Sequence, residues 1–272
     1  MKNNYFTDIH NHIVFSVDDG AESLDNALLM VEQALECRIR HLAATPHITD
    51  LTDEAIVAGI QANFAELNEA VQKRELPVHL YLAAELIYND QIYKWIKQDW
   101  VSLSRDGTYF LFELPLFDLP NGVGEFIFQT KLKGIQPILA HPERYIYLHG
   151  QMDKLIRWRQ QGCLMQMNAG SLTGQFGGEV LSFSKKLLEA DFYSFVASDA
   201  HDLSSRNFKV LPKAYEIAYE LTSAEKADEL FTINPQKALK GESISQQLLN
   251  EQLMEKSWFR GIINSIKNFR IN

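Results

Sequence analysis

The sequence contains little cysteine: its 272 residues include two, Cys37 and Cys163. The two cysteines lie far apart in the chain, and no C-x-x-C pair is present. Intracellular cysteines without such spacing are usually buried thiols that pack as small hydrophobic residues. We therefore expect two free thiols in a reducing cytosol, without a disulfide framework.

Long apolar runs and an excess of positive charge are also missing. No run reaches the ~18 residues that a membrane span needs, and the opening MKNNYFTDIH lacks the apolar core of a signal peptide. We therefore expect a cytoplasmic protein. The net charge of −9 argues against a sequence-independent nucleic-acid binder. It leaves room for an acidic protein that neutralises its carboxylates with metal ions.

Apolar segments alternate with stretches of helical spacing along most of the chain. Hydrophobic residues make up 46% of the sequence, which is enough for a substantial core. We predict strands at 5–12, 41–47, 78–85, 108–113, 135–141, 163–168 and 192–199. Near-continuous apolar strands separated by helices predict an α/β fold with a parallel sheet, here a distorted barrel of seven β/α units. Without a linker or repeat, residues 1–245 are expected to form one domain.

Metal-competent side chains stand at the ends of six of the seven predicted strands. His10 and His12 are two residues apart, so they point to the same side of the first strand. The other candidates are His47, Glu85, Glu113, His141, Asp199 and His201, with Asp19 in the loop after the first strand as a ninth. In parallel α/β folds these ends share one edge, where active sites assemble. Imidazoles and carboxylates without thiolates suit manganese, iron, zinc or magnesium, and so many ligands indicate two or three ions.

Each candidate also has a purely structural explanation. A single histidine such as His47 is often a hydrogen-bonded structural residue, and Glu85 could stabilise the start of a helix. Glu113 lies in an apolar context, where a carboxylate is costly unless it is paired or bound to metal. The joint pattern favours a metal cluster, because the structural explanation would need a separate reason for every strand. The remaining histidines, at positions 41, 79 and 149, are expected to be structural or exposed.

Two arginines follow the fifth and seventh predicted strands closely. Arg144 stands in His-Pro-Glu-Arg, and Arg206 lies seven residues after Asp199. Metal ions polarise a phosphate ester, while guanidinium groups hold its oxygens with paired hydrogen bonds. A metal cluster with two arginines therefore points to phosphate chemistry, although each arginine could also be a solvated surface residue.

The motifs DIHNHIVFSVDDGA, ATPH, AAE, LFELP, AHPERY and ASDAH, in this order, resemble the PHP (polymerase and histidinol phosphatase) superfamily. Within it, they resemble the bacterial manganese-dependent protein-tyrosine phosphatases of capsule and exopolysaccharide operons. The resemblance covers roughly residues 5–240. It implies a distorted (β/α)7 TIM-like barrel with three metal ions at the C-terminal rim of the strands. Manganese is the first expectation, with iron, zinc and magnesium as alternatives.

The resemblance also implies a role for each candidate residue. One ion would be bound by His10, His12, Glu85 and Asp199. Glu85 would bridge to a second ion, which is completed by Glu113 and His141. A third ion would be bound by Asp19, His47 and His201. The catalytic phosphate-binding residues would be Arg144 and Arg206.

The reaction implied by the resemblance is hydrolysis of phosphotyrosine on the tail of a bacterial tyrosine autokinase. Hydroxide generated at the metal ions would attack phosphorus. No phosphocysteine intermediate is expected, because the positions six residues after the cysteines are Ala43 and Ala169 rather than arginine. Three alternatives stay open: another PHP phosphoesterase such as a histidinol-phosphate phosphatase or exonuclease, an amidohydrolase, and a module that binds phosphotyrosine without cleaving it.

The last stretch of the sequence, 246–272, is expected to be a basic amphipathic tail rather than a separate domain. Residues 256–272 contain four basic and no acidic side chains, with apolar residues at helical spacing. Such a helix can pack on its own domain or on a second copy of the chain. It can also lie on an anionic membrane surface.

Overall fold

The structure is a computed structural model that describes residues 5–246. The predicted tail at 256–272 lies outside these residues. The described strands are β1 (Phe6–Asn11), β2 (Ile39–Ala44), β3 (His47–Ile48), β4 (His79–Leu82), β5 (Glu85–Ile87), β6 (Tyr109–Glu113), β7 (Gln136–Ala140), β8 (Leu164–Asn168) and β9 (Phe195–Ala197).

Helices separate most of these strands, as the sequence predicts. They are α1 (Leu24–Glu36), α2 (Glu54–Lys73), α3 (Ile92–Trp95), α4 (Val123–Leu132), α5 (Met152–Gln160), α6 (Ala169–Leu172), α7 (Gly178–Glu189), α8 (Val210–Leu221), α9 (Ala224–Asp228) and α10 (Asn234–Leu239). Short 3-10 helices cover Asp99–Val101, Pro142–Arg144 and Ile146–Leu148, and a π-helical turn covers Glu229–Ile233. Within residues 5–246, no helix combines the length and the apolarity that crossing a membrane requires.

Side-chain caps fix where the first two long helices begin. The Ser23 hydroxyl accepts a hydrogen bond from the Asn26 amide at the start of α1, and Asp53 accepts one from Ile56 at the start of α2. Each cap satisfies an amide that has no partner within the helix.

The strands form two parallel sheets. One has the order β1-β2-β4, and the other has the order β3-β5-β6-β7-β8-β9. Backbone hydrogen bonds connect the sheets where β1 meets the segment after β9: the Asp199 amide donates to the His10 carbonyl at 2.8 Å, and the His12 amide donates to the Ala200 carbonyl at 2.8 Å. The predicted mixed α/β fold with parallel strands is confirmed. The described strands fall into these two sheets, and their closure into a distorted barrel stays a prediction.

Two predicted strands are wrong in one respect, because each is divided in the structure. The segment predicted at 41–47 ends as β2 and restarts as β3, and the segment predicted at 78–85 ends as β4 and restarts as β5. Pro46 has no amide hydrogen to donate, so the ladder is interrupted at that position. His47 and Glu85 therefore begin strands instead of ending them, and they are register partners between β3 and β5.

An aromatic cluster packs α4 against the larger sheet. Phe126 is 2% exposed, and its ring makes edge-on contacts with Phe110 and Phe112 of β6 at 5.9 and 5.3 Å. Tyr88 contacts the same ring at 5.3 Å. Phe128 lies on the same helix but is 45% exposed. Burial of this single ring therefore ties the helix to the strand that ends in Glu113.

Replacing Phe126 with alanine should lower the free energy of unfolding by about 3–5 kcal/mol, because a buried ring is lost and a cavity stays behind. Phe128→Ala is the matched control and should change it by less than about 0.5 kcal/mol. Urea denaturation of the two variants measures both values. Equal effects of the two substitutions would contradict this packing.

Candidate metal centre

All nine predicted ligands lie in one cluster at the edge of the sheets, and six of them line a cavity there. Within the described chain, four groups of side chains offer ligand atoms within 4.8 Å of one another, and together they contain His10, His12, Asp19, His47, Glu85, Glu113, His141, Asp199 and His201. The strand ends of both sheets meet at this edge, as expected for parallel α/β folds. The residues were predicted from six separate segments, and the fold brings them into one place.

Glu85 is at the centre of the cluster and is fully buried. Its Oε2 atom lies 3.0 Å from Nε2 of His10, 3.4 Å from Nε2 of His12 and 3.2 Å from Nδ1 of His47. Its Oε1 atom lies 3.2 Å from Nε2 of His141. One carboxylate therefore contacts four imidazoles from three different segments of the chain.

Asp199 joins the cluster to the two predicted arginines. Its Oδ1 atom lies 3.5 Å from Nε2 of His10 and 3.6 Å from Nε2 of His12. Its Oδ2 atom accepts hydrogen bonds from Arg144 at 3.0 Å and from Arg206 at 2.6 Å. Both guanidinium groups therefore lie beside the candidate ligand atoms, in contact with the same carboxylate oxygen.

Glu113 and Asp19 complete the cluster on its more open side. The Glu113 oxygens lie 3.2 Å from Nδ1 of His47 and 3.8 Å from Nε2 of His141. Oδ1 of Asp19 lies 3.5 Å from Nε2 of His47 and 3.3 Å from Nε2 of His201. The Asp19 side chain is 64% exposed, so this part of the cluster is open to solvent.

Several of these atoms are buried without a hydrogen-bond partner among the residues described. They are Nε2 of His10, His12 and His201, Nδ1 of His47 and Oε2 of Glu85. A buried polar atom without a partner costs roughly 1–3 kcal/mol. Cations placed between the imidazole nitrogens and the carboxylate oxygens would satisfy them. The donors are nitrogen and oxygen only, which fits divalent ions such as manganese, iron, zinc or magnesium.

The electrostatics of the cluster also favour positive charge at its centre. Burial lowers the pKa of His10, but the charges of Glu85 and Asp199 outweigh this effect and raise it to about 9. Burial acts to raise the pKa of Glu85, but His10 and His47 hold it well below its usual range. The carboxylates therefore stay ionised and attract a cation, whether it is a proton or a metal ion.

Two of the ligand residues have strained backbones. His141 has a φ of 33° and Asp199 has a φ of 54°, and both values are uncommon for residues other than glycine. His141 turns the chain from β7 into the 3-10 helix that carries Arg144. Such conformations cost free energy and concentrate at functional sites.

Sequence reasoning missed the residues that orient the first two histidines. Oδ2 of Asp18 lies 2.7 Å from Nδ1 of His12, and Oε1 of Gln166 lies 2.9 Å from Nδ1 of His10. A hydrogen bond at Nδ1 orients the imidazole ring so that the opposite nitrogen, Nε2, faces the cluster. Histidine ligands of metal ions are usually oriented in this way. Asp18 adjoins a predicted ligand in Asp-Asp-Gly, and this position was the available signal. Gln166 has no comparable signal.

Glu143 is another supporting residue that the sequence did not reveal. It is fully buried, and its Oε1 accepts a hydrogen bond from the Asn168 amide at 2.9 Å. Its Oε2 accepts one from the Tyr193 hydroxyl at 3.2 Å. The neighbouring Arg144 lies over the ring of Phe176, 4.4 Å from its centre. The turn after β7 is thus fixed on both sides of the arginine.

The residues predicted to lie outside the site do so. Nδ1 of His41 lies 3.1 Å from the Tyr81 hydroxyl, and its ring stacks on His79 at 5.0 Å. Nε2 of His149 donates to the Glu143 carbonyl, 2.7 Å away, instead of joining the cluster. Both cysteines are free and buried, and burial raises the pKa of Cys163 far above its usual range.

The fold and the cluster together define a parallel α/β protein with a candidate multinuclear metal centre. The family model described as "Capsular polysaccharide synthesis, CpsB/CapC" matches residues 6–240, and the chain belongs to this family.

The chain is also similar to individual members with known names. It is 32% identical over 241 residues to the tyrosine-protein phosphatase YwqE of Bacillus subtilis (strain 168), covering 88% of this chain and 94% of the relative. It is 29% identical over 237 residues to the tyrosine-protein phosphatase CpsB of Streptococcus pneumoniae, covering 85% of this chain and 97% of the relative. The predicted resemblance is thereby confirmed.

A solved structure agrees with these relatives. It comes from work on YwqE from Bacillus subtilis and CpsB from Streptococcus pneumoniae, described as unique metal-dependent tyrosine phosphatases. Its TM-score is 0.81 at 29% identity, and the match covers 90% of this chain and 98% of the other.

Removing divalent ions from the protein with a chelator should lower its melting temperature. An ion present at 100 times its dissociation constant adds about 2.7 kcal/mol to the free energy of unfolding, or roughly 5–10 °C in a domain of this size. Differential scanning calorimetry before and after chelation measures this shift.

Glu85→Gln should lower the number of metal ions retained per chain, because the carboxylate shared by four imidazoles is lost. Elemental analysis measures this number, with the exposed His79→Ala as control. Equal ion content in Glu85→Gln and wild type would contradict the central position of Glu85.

Proposed function

We propose that this chain is a metal-dependent protein-tyrosine phosphatase that acts on the phosphotyrosine tail of a bacterial tyrosine autokinase in capsule or exopolysaccharide synthesis. The observation that carries the proposal is the convergence of Arg144 and Arg206 on Asp199, directly beside the candidate metal ligands. Membership of the CpsB/CapC family and the names of the relatives support it.

We further propose three ions, with manganese as the native metal and iron, zinc or magnesium as substitutes. His10, His12, Glu85 and Asp199 would hold the first. Glu85 would bridge to the second, completed by Glu113 and His141. Asp19, His47 and His201 would hold the third. Groups of neighbouring ligand atoms support parts of this assignment: one contains His10, His12 and Glu85, and another contains Asp19, His47 and His201. For the second ion, Glu85 and Glu113 share a group, and Nε2 of His141 lies 3.2 Å from Glu85.

The proposed catalytic unit is residues 1–245, with the two sheets acting together as one distorted (β/α)7 barrel. Pairing of Asn11 with Ala200 supports this view, because it connects the first strand of one sheet with the last strand of the other. We place the reaction in the cytoplasm, and we assign the tail at 246–272 to peripheral membrane or homo-oligomer contact. No nucleic acid is proposed as a partner, in keeping with the net charge of −9.

Divalent ions, when bound, supply hydroxide near neutral pH and stabilise charge on phosphate oxygens. The two arginines would hold those oxygens, since a guanidinium offers two parallel donors to a phosphate. Burial acts to raise the pKa of Asp199, but His10 and Arg206 hold it well below its usual range, so it stays ionised. Phenolate leaves readily, so a dedicated general acid is not needed.

A thiol mechanism does not fit the same site. Cys163 is buried, its thiol pKa is raised by that burial, and the residue six positions later is Ala169. The cavity lining contains six of the nine candidate ligands and both arginines, and neither cysteine. Nucleophilic attack by a cysteine is therefore excluded from the proposal.

Metal-stripped protein should release no phosphate from a phosphotyrosine peptide, and release should return when manganese is added. His141→Ala should abolish release even with manganese, because one candidate ligand is missing from the cluster. His79→Ala is the matched control and should keep wild-type activity. If the protein bound the peptide without releasing phosphate, it would be a module that binds phosphotyrosine without cleaving it. If it hydrolysed histidinol phosphate faster than the phosphotyrosine peptide, a histidinol-phosphate phosphatase would be favoured.

Arg144→Lys and Arg206→Lys should each lower kcat/KM for the phosphotyrosine peptide by roughly 10²–10³-fold. This is the loss expected when hydrogen-bond donors that stabilise charge in the transition state are removed. Lysine keeps the charge but not the two parallel donors. Arg74→Lys is the control, because Arg74 forms an exposed ion pair with Glu32 away from the site. Steady-state kinetics on the three variants measures the effect. Wild-type values for both site variants would remove the arginines from the mechanism.

A further inference from the structure

An apolar segment beside the candidate metal centre has no role in the chemistry proposed above. Residues 114–117 (Leu-Pro-Leu-Phe) follow β6 directly after Glu113, and they line the same cavity of about 300 Å³ as the ligands and the arginines. Phe117 is 89% exposed, and Leu116 is 40% exposed. Single exposed apolar residues are ordinary on protein surfaces. Here the exposed ring borders a cavity that also contains the candidate ligands and both arginines.

This segment is held in place by two tyrosines that follow Arg144. The Leu114 amide donates to the Tyr145 hydroxyl oxygen at 2.9 Å, and the Tyr147 hydroxyl donates to the Pro115 carbonyl at 2.7 Å. The two tyrosine rings stack with their centres 5.7 Å apart. Because Tyr145 adjoins Arg144 in the chain, the apolar segment has a fixed position relative to the candidate phosphate-binding side.

The order of the strands separates the charged and apolar parts of the cavity. Ile87 and residues 114–117 come from the ends of β5 and β6, while Arg144 and Arg206 follow β7 and β9. A phosphate ester held by the arginines would therefore place its organic group against the apolar part. Aromatic rings gain from contact with another ring beyond the area that they bury.

We infer that Phe117, together with Leu116, forms the subsite that receives the aromatic ring of the phosphate ester. This subsite makes the protein selective for aryl over alkyl phosphates, and the group that it binds is the phosphotyrosyl ring. The inference rests on the proposed function, and it assigns the residues that recognise the substrate next to those that act on its phosphate.

Binding of two phosphonates to the full-length, manganese-loaded protein tests this subsite without any turnover. Phenylphosphonate carries the ring, and methylphosphonate does not. Phe117→Ala should raise the dissociation constant of phenylphosphonate about 10-fold, and that of methylphosphonate less than about 2-fold. Phe117→Trp should keep phenylphosphonate affinity close to wild type. Phe128→Ala, which removes an exposed ring outside the cavity lining, is the matched control. Isothermal titration calorimetry measures all values.

Equal weakening of both phosphonates, or no weakening of either, would overturn the subsite. A change of oligomeric state in Phe117→Ala, seen by sedimentation velocity, would assign the ring to a contact between copies and would also overturn it. The proposed function can fail separately. If wild type released no phosphate from a phosphotyrosine peptide while Phe117→Ala still weakened phenylphosphonate selectively, the aryl subsite would stand without the phosphatase.

Discussion

The buried carboxylate of Glu85, in contact with four imidazoles, is the interaction on which the rest of the site depends. Removing an ionised carboxylate from water is costly unless positive charge compensates for it. His10, His12, His47 and His141 surround it, and they come from segments that are far apart in the sequence. Several of their nitrogens face this carboxylate without a hydrogen bond, which is the arrangement of ligands around shared cations.

The register between two neighbouring segments explains how Glu85 reaches that position. β2 pairs with β4, and β3 continues the same register with β5, so that His47 and Glu85 are partners. Side chains alternate between the two faces of a strand, so a shift of one residue would turn Glu85 away from the cavity. This register is therefore part of how the site is built.

The sequence was sufficient to predict which residues gather at the cavity, because parallel strands share their active edge and ligands two residues apart share a face. It could not predict that His47 and Glu85 begin strands, because the points where a paired strand breaks and restarts depend on contacts with distant segments. Gln166 and Glu143 were missed for a related reason: each acts through a residue that is distant in the chain. The left-handed backbone of His141 also has no sequence signal.

The central claim is that these nitrogen and oxygen atoms together bind a cluster of cations. Anomalous diffraction from crystals of the full chain, collected at the manganese absorption edge, tests it most directly. The account predicts three peaks in the cavity, two of them within bonding distance of Glu85 and one beside Asp19, His47 and His201. Crystals grown with manganese that show no peak near Glu85, or peaks at unrelated surface carboxylates, would contradict it.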